Sequence, residues 1–176
     1  MEERCLIGDS KLIKDFILKI EEIEVRDGAW TTKYYDKETG KHWIKYVVDD
    51  RSFTAHMLQI NPPLSTVNLI NIATNSNYED EAIAAANRLY FEEQYLSKIY
   101  RDELLESLQQ KVLTNLDIIE KHKIEKVIVA GQLLNSINRK EIIGKSYSEV
   151  SADAKYYKEI AGKATELLSQ LGRSTN

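Results

Sequence analysis

At 176 residues, 43% apolar and 30% charged, the chain has the length and composition of one folded domain, which excludes a disordered chain. A balance of 24 Lys and Arg against 28 Asp and Glu, net charge −4, opposes nucleic-acid binding, which needs a basic stripe. One cysteine, Cys5, excludes an internal disulfide and any cysteine-based zinc site, and no run of ~18 apolar residues exists to cross a membrane.

Residues 9–24 read as an amphipathic helix. Leu12, Ile13, Phe16, Ile17, Ile20 and Ile23 follow helical spacing, Asp9 or Ser10 stands at the cap, and Asp27-Gly28 ends the run. The period then changes. Trp30–Tyr35 and His42–Val48 are β-branched and aromatic, and they flank Asp36-Lys-Glu-Thr-Gly-Lys41, the signal of a hairpin with Gly40 in the left-handed position. Pairing Lys37 with Lys41 sets Tyr34 against Ile44 and Trp30 against Val48 on an apolar face. Tyr35 then opposes Trp43 on the other face. Residues 52–59 are a candidate third strand beside the hairpin.

Asn61-Pro62-Pro63 carries both prolines of the chain and divides it into an N-terminal part, 1–60, and a helical part, 61–176, packed as one unit. Helices are expected at Ser65–Thr74, at Tyr78–Glu93 after an Asn77 cap, at about 97–112, from about Thr114, and at about 126–138, where Val127–Val129 also suits a strand. Ser146-Tyr-Ser-Glu149 is a capping box for a last helix. Along it Val150, Ala154, Tyr157, Ala161, Ala164, Leu168 and Leu171 make a seam suited to an intramolecular groove. An offset of 35 positions lays Leu64 on Ile99, Leu69 on Leu104 and Ile83 on Ile118. The expected fold is therefore mainly α: an N-terminal helix and β-hairpin, then antiparallel helix pairs as a HEAT-like array or helical bundle.

Catalytic signals are sparse. His42, His56 and His122 are scattered, with no His or Cys at ligand spacing, so neither a metal nor a cofactor is expected. Gly-x-Ser-x-Gly, Walker and Gly-x-Gly-x-x-Gly patterns do not occur. Asp49-Asp50 reads as a solvated turn, and Glu79-Asp80-Glu81 as a complement to a helix dipole. Aromatics are more telling, clustering at 30–46 and 90–100. Only one hairpin face is needed for a core, which leaves Tyr35 and Trp43 partly exposed beside Lys33 and Lys45, and such residues anchor protein interfaces.

Trp30-x-x-Lys-Tyr-Tyr-Asp-Lys-Glu-Thr-Gly-Lys-His-Trp43, then Pro62-Pro63, then Asn77-Tyr-Glu-Asp-Glu81-Ala and Arg88-Leu, resembles small bacterial immunity-type proteins of polymorphic toxin systems, over about residues 28–109. The resemblance implies a cytoplasmic, non-enzymatic protein that neutralises a cognate toxin by binding it. The expectation is thus a partner-binding surface with Tyr35 and Trp43 as anchors and Asp49, Asp50, Glu79 and Glu81 as rim charges that steer a basic toxin domain. Two other readings compete with it: an adaptor self-associating through residues 147–172, and an enzyme with a dispersed carboxylate and tyrosine site.

Overall fold

The computed structural model describes residues 4–26, 30–49, 54–114, 116–138, 140 and 142–173, without the side chains of Asp49 and Arg173. In chain order the described elements are β1 (Leu6–Ile7), α1 (Ser10–Ile17), β2 (Glu21–Arg26), β3 (Thr31–Tyr35), β4 (His42–Asp49), β5 (Thr54–Asn61), α2 (Thr66–Asn75), α3 (Glu79–Leu96), α4 (Arg101–Val112), α5 (Ile118–Ala130) and α6 (Tyr147–Arg173). The strands form one antiparallel sheet in the order β1-β5-β4-β3-β2. The fold is mixed α/β. The mainly α expectation, with its HEAT-like array or bundle, is corrected by this five-stranded sheet.

Two short stretches account for the error. The expected helix over 9–24 stops at Ile17, after which Glu21-Glu-Ile-Glu-Val-Arg26 pairs with β3 as an edge strand. Ile20 and Ile23 fit a helical stripe and a strand equally well, so periodicity alone cannot separate them there. The second stretch, Leu6-Ile7, is too short for any pattern. It joins the sheet because Leu6 and Ile7 pair with Leu58 and Met57 and are wholly buried. The strand expected at 52–59 forms as Thr54–Asn61 on β4, while the helix end expected at Asp27-Gly28 lies outside the described residues.

The hairpin forms one residue out of the expected register. Asp36, not Lys37, pairs with Lys41: its N–H donates to the Lys41 carbonyl at 2.9 Å, and its carbonyl accepts from Gly40 N–H at 2.8 Å. The Asp36 carboxylate fixes this turn by accepting from Glu38 N–H at 3.0 Å and from the Thr39 hydroxyl at 2.6 Å, and Gly40 takes φ +70°. A slip of one residue exchanges faces. Tyr34 therefore opposes Trp43, and Tyr35 opposes His42.

Both faces of the sheet are covered. On one, Ile7, Tyr34, Trp43 and Met57 pack under Ile13 and Phe16 of α1. On the other, Leu6, Tyr46 and Leu58 pack into the larger core built by α2 to α6. Alanines 82, 84, 85 and 86 are fully buried in α3, letting its neighbours approach closely. The 35-residue offset carries α2 onto α4 and α3 onto α5, and these pairs do pack together. The helices expected from Thr114 and at 126–138 are a single helix, α5, capped by Asp117, whose carboxylate accepts from Glu120 N–H at 2.8 Å. The Ser146–Glu149 box opens α6. Tyr157, Ile160, Ala164, Leu167 and Leu171 of that helix are buried in the protein's own core.

His56 lies on the larger-core face of β5, edge to face with Tyr46 and with no partner for its Nδ1. Burial lowers its pKa to about 4, although the Asp80 carboxylate acts in the opposite sense. An unfolded histidine titrates near ~6.5, so between those values the unfolded state binds a proton that the folded state does not. Stability is accordingly full above about pH 6.5 and falls as pH drops toward 4, by roughly 2–3 kcal/mol. Urea midpoints at pH 7 and pH 4.5 check this. The wild type should lose stability over that interval while His56→Leu stays nearly flat, and an unchanged wild-type midpoint would contradict it.

Candidate functional site

The residues expected to form a partner surface do not share one. Trp43 is 3% exposed, its indole edge to face with Phe16 at 5.1 Å beneath α1. The expectation of an exposed Trp43 is corrected, because α1 covers the face of the sheet on which this ring lies, as the helices after β5 cover the other. Tyr35 is half-buried, its ring 4.8 Å from that of His42. Glu81 is buried: one carboxylate oxygen accepts from the N–H groups of Cys5 and Leu6 at 2.6 and 3.1 Å, and the other accepts from the Ser76 hydroxyl at 2.7 Å. Its neighbour Asp80 grips Arg4 with both oxygens at 2.7 and 2.8 Å and accepts from Gly8 N–H at 3.2 Å. The first turn of α3 is thus the clamp that holds β1 in the sheet. Glu79 stays at the surface, paired with Lys126 of α5 at 2.6 Å. Asp49 ends β4, and Asp50 lies outside the described residues.

The second aromatic cluster, at 90–100, also exposes large apolar side chains close together in sequence, as the pairs Ile118-Ile119 and Ile142-Ile143 do elsewhere. Tyr95, Leu96 and Ile99 are 72%, 53% and 65% exposed. Their exposure follows from how α3 ends. Ser97 takes the left-handed conformation (φ +52°), and Lys98 N–H caps the helix on the Glu92 carbonyl at 3.3 Å. Tyr100 and Arg101 then turn inward. Tyr100 is buried and donates its hydroxyl to the Gly131 carbonyl. Arg101 is wholly buried, donates to both oxygens of Glu93 at 2.7 Å each and to the Gln132 carbonyl at 2.7 Å, and lies 4.7 Å over the Tyr157 ring. Burial alone would lower the Arg101 pKa, and the hydrogen-bonded Glu93 together with Tyr100 and Tyr157 more than offsets it, so the guanidinium stays charged. With Tyr100 and Arg101 drawn into the core, Ile99 is left outside. Tyr95 is supported from below by Phe91 at 4.6 Å, and Phe91 by Tyr46 at 6.1 Å.

Beside this patch lies a cleft of about 380 Å³, walled by Gln94, Lys98, Ile99, Lys140, Lys145 and Tyr156 among others. Burial and the Asp102 carboxylate raise the Tyr156 phenol well above its ordinary value, so it remains protonated at neutral pH. The Nε2 of Gln94 is buried without a hydrogen-bond partner, whereas the Tyr156 hydroxyl faces the Asp102 carboxylate. The carboxylates here are engaged with cations: Glu92 with Arg88 at 3.0 Å and Lys98 at 2.8 Å, and Asp153 with Lys140 at 3.0 Å and Lys145 at 2.7 Å.

Among the described residues no group of three or more His, Cys, Asp or Glu side chains is placed to hold a metal ion, and no helix is long and apolar enough to cross a membrane. No family model matches the chain, and neither a curated protein nor a solved structure matches it.

Proposed function

We propose that this chain is a non-enzymatic binding protein of the immunity type, which works in the cytoplasm by occluding a partner protein with the surface at the end of α3. The observation that carries the reading is the exposure of Tyr95, Leu96 and Ile99 together, on a backbone held rigid by the buried Tyr100 and Arg101. Aromatic and aliphatic anchors pre-organised in this way lose little conformational freedom on binding, which is how a small patch yields high affinity.

The competing readings have less support. An adaptor would self-associate through α6, but the seam it would use faces this protein's own core. An enzyme would need carboxylates free to exchange protons, whereas the oxygens of Glu92, Glu93 and Asp153 are held by arginine and lysine. Steering of a basic toxin by Glu79 and Glu81 is also weakened, since Glu81 is buried and Glu79 is already paired.

Co-purification with the product of the adjacent reading frame tests the proposal. Light scattering after gel filtration should show an equimolar complex. Two separate monomers at micromolar concentration would overturn it.

A further inference from the structure

A second cleft, of about 130 Å³, opens on the α1 side of the sheet. Its apolar wall is Ile7 of β1, Phe16 of α1 and Trp43 of β4, all buried, with the half-buried Ile20 beside them; Lys19, Glu38 and Thr39 form an exposed rim. The helix ends at Ile17 and the chain rejoins the sheet at Glu21, which leaves this face partly open beside the hairpin turn. Three properties point to an occupant. The first is size, since an apolar cavity of ~150 Å³ holds one benzene ring. The second is the Trp43 indole, whose Nε1 is buried without a hydrogen-bond partner. An indole nitrogen only donates, so what it lacks is an acceptor, and a buried bond left unmade is costly. The third is charge. Arg4 is held by Asp80, and Lys19 and Lys41 are matched in number by Asp36 and Glu38, so the walls carry no net charge.

We infer that this cleft is a binding site for a small neutral molecule built on one aromatic ring and carrying a carbonyl-type acceptor. The ring packs against Phe16 and Trp43, which already meet edge to face at 5.1 Å, and extends that pair. The carbonyl oxygen accepts from the Trp43 Nε1–H. Ile7 and Ile20 complete an enclosure of the usual kind for small ligands, mostly apolar with one placed polar group. A charged molecule of the same size is rejected, because walls with balanced charge offer no counter-ion to replace the water it loses. The Asp36 carboxylate is no substitute, since its oxygens already serve the hairpin turn. The site shares no residue with the surface at the end of α3, so either stands if the other fails.

Nitrogen-15 NMR of the whole chain tests this. The protein has two indole N–H signals, from Trp30 and Trp43, which Trp30→Phe assigns. The probes are acetophenone, its isostere α-methylstyrene, in which a CH2 group replaces the carbonyl oxygen, and benzoate and benzylamine as charged counterparts. Acetophenone should move the Trp43 Nε1–H signal downfield, leave that of Trp30 in place, and bind at least about threefold more tightly than each of the other three. Trp43→Phe keeps an aromatic wall but loses the donor, so the difference between acetophenone and α-methylstyrene should vanish. Ile20→Phe, at a half-buried position, fills the cleft and should weaken both by at least about tenfold. Circular dichroism confirms that each variant is folded, and Ile20→Phe decides if Trp43→Phe is not. A Trp43 signal unmoved at the solubility limit of acetophenone overturns the inference. So does equal affinity for acetophenone and α-methylstyrene, tighter binding of either charged probe, or binding indifferent to Ile20→Phe.

Discussion

Replacing Arg101 by methionine is expected to lower the unfolding free energy by about 3–5 kcal/mol. The two side chains are similar in length, so the loss comes from charge and not from volume. Wild-type Arg101 is fully buried and donates to both Glu93 oxygens and to the Gln132 carbonyl. Methionine leaves the largely buried Glu93 carboxylate without its counter-charge and strips a partner from the carbonyl. Pairing the change with Glu93→Met should recover much of the loss, because a buried ion pair replaced whole is nearly neutral while half a pair is not. Urea denaturation of the two single variants and the double variant measures this cycle. A cost below about 1 kcal/mol for Arg101→Met would show that the pair does not hold the end of α3 in place.

The second large effect is expected at Glu81. Its carboxylate accepts from two backbone N–H groups of the first strand and from Ser76. Bonds to a charged acceptor contribute about 1.5–3 kcal/mol each, and they are not additive. Glu81→Ala should therefore cost about 3 kcal/mol and release β1, seen as lost amide-exchange protection at Leu6 and Ile7. Glu81→Gln keeps one acceptor oxygen and should cost distinctly less. Retained protection at Leu6 and Ile7 in Glu81→Ala would mean that pairing with β5 alone holds the strand.

These two residues show where sequence reasoning stopped. Most helices after Pro63 were legible to within a few residues from apolar spacing over two or more turns, but the two expected from Thr114 and at 126–138 are one helix that ends at Ala130. The hairpin was legible as a hairpin but not in its register. The deciding group is one side chain, Asp36, whose carboxylate closes the turn a residue earlier than the Gly40 pattern suggests. Trp43 is lost as an exposed anchor for a separate reason, the covering of its face by Ile13 and Phe16 of α1, a packing with no local signal. Leu6-Ile7 and Glu21–Arg26 were not legible as strands. The first is fixed by carboxylates that lie more than seventy residues away in sequence, and the second has a pattern common to both periods. The acidic cluster at 79–81 suits a helix start, which hid its role in binding β1. As for the site, the richness of 90–100 in aromatic residues was visible. Which of them point outward depends on Tyr100 and Arg101 finding partners at Gly131 and Gln132, a long-range match with no local signal.

The central claim is that recognition takes place at the end of α3 and not on the hairpin. Isothermal titration of the adjacent-frame product into Tyr95→Ala/Ile99→Ala and, separately, into Tyr35→Ala tests it most directly. Loss of two anchors at a hot spot is expected to weaken binding by at least about 30-fold, and Tyr35→Ala to change it by less than about threefold. The reverse pattern, with Tyr35 decisive and the Tyr95 and Ile99 pair indifferent, would contradict the account.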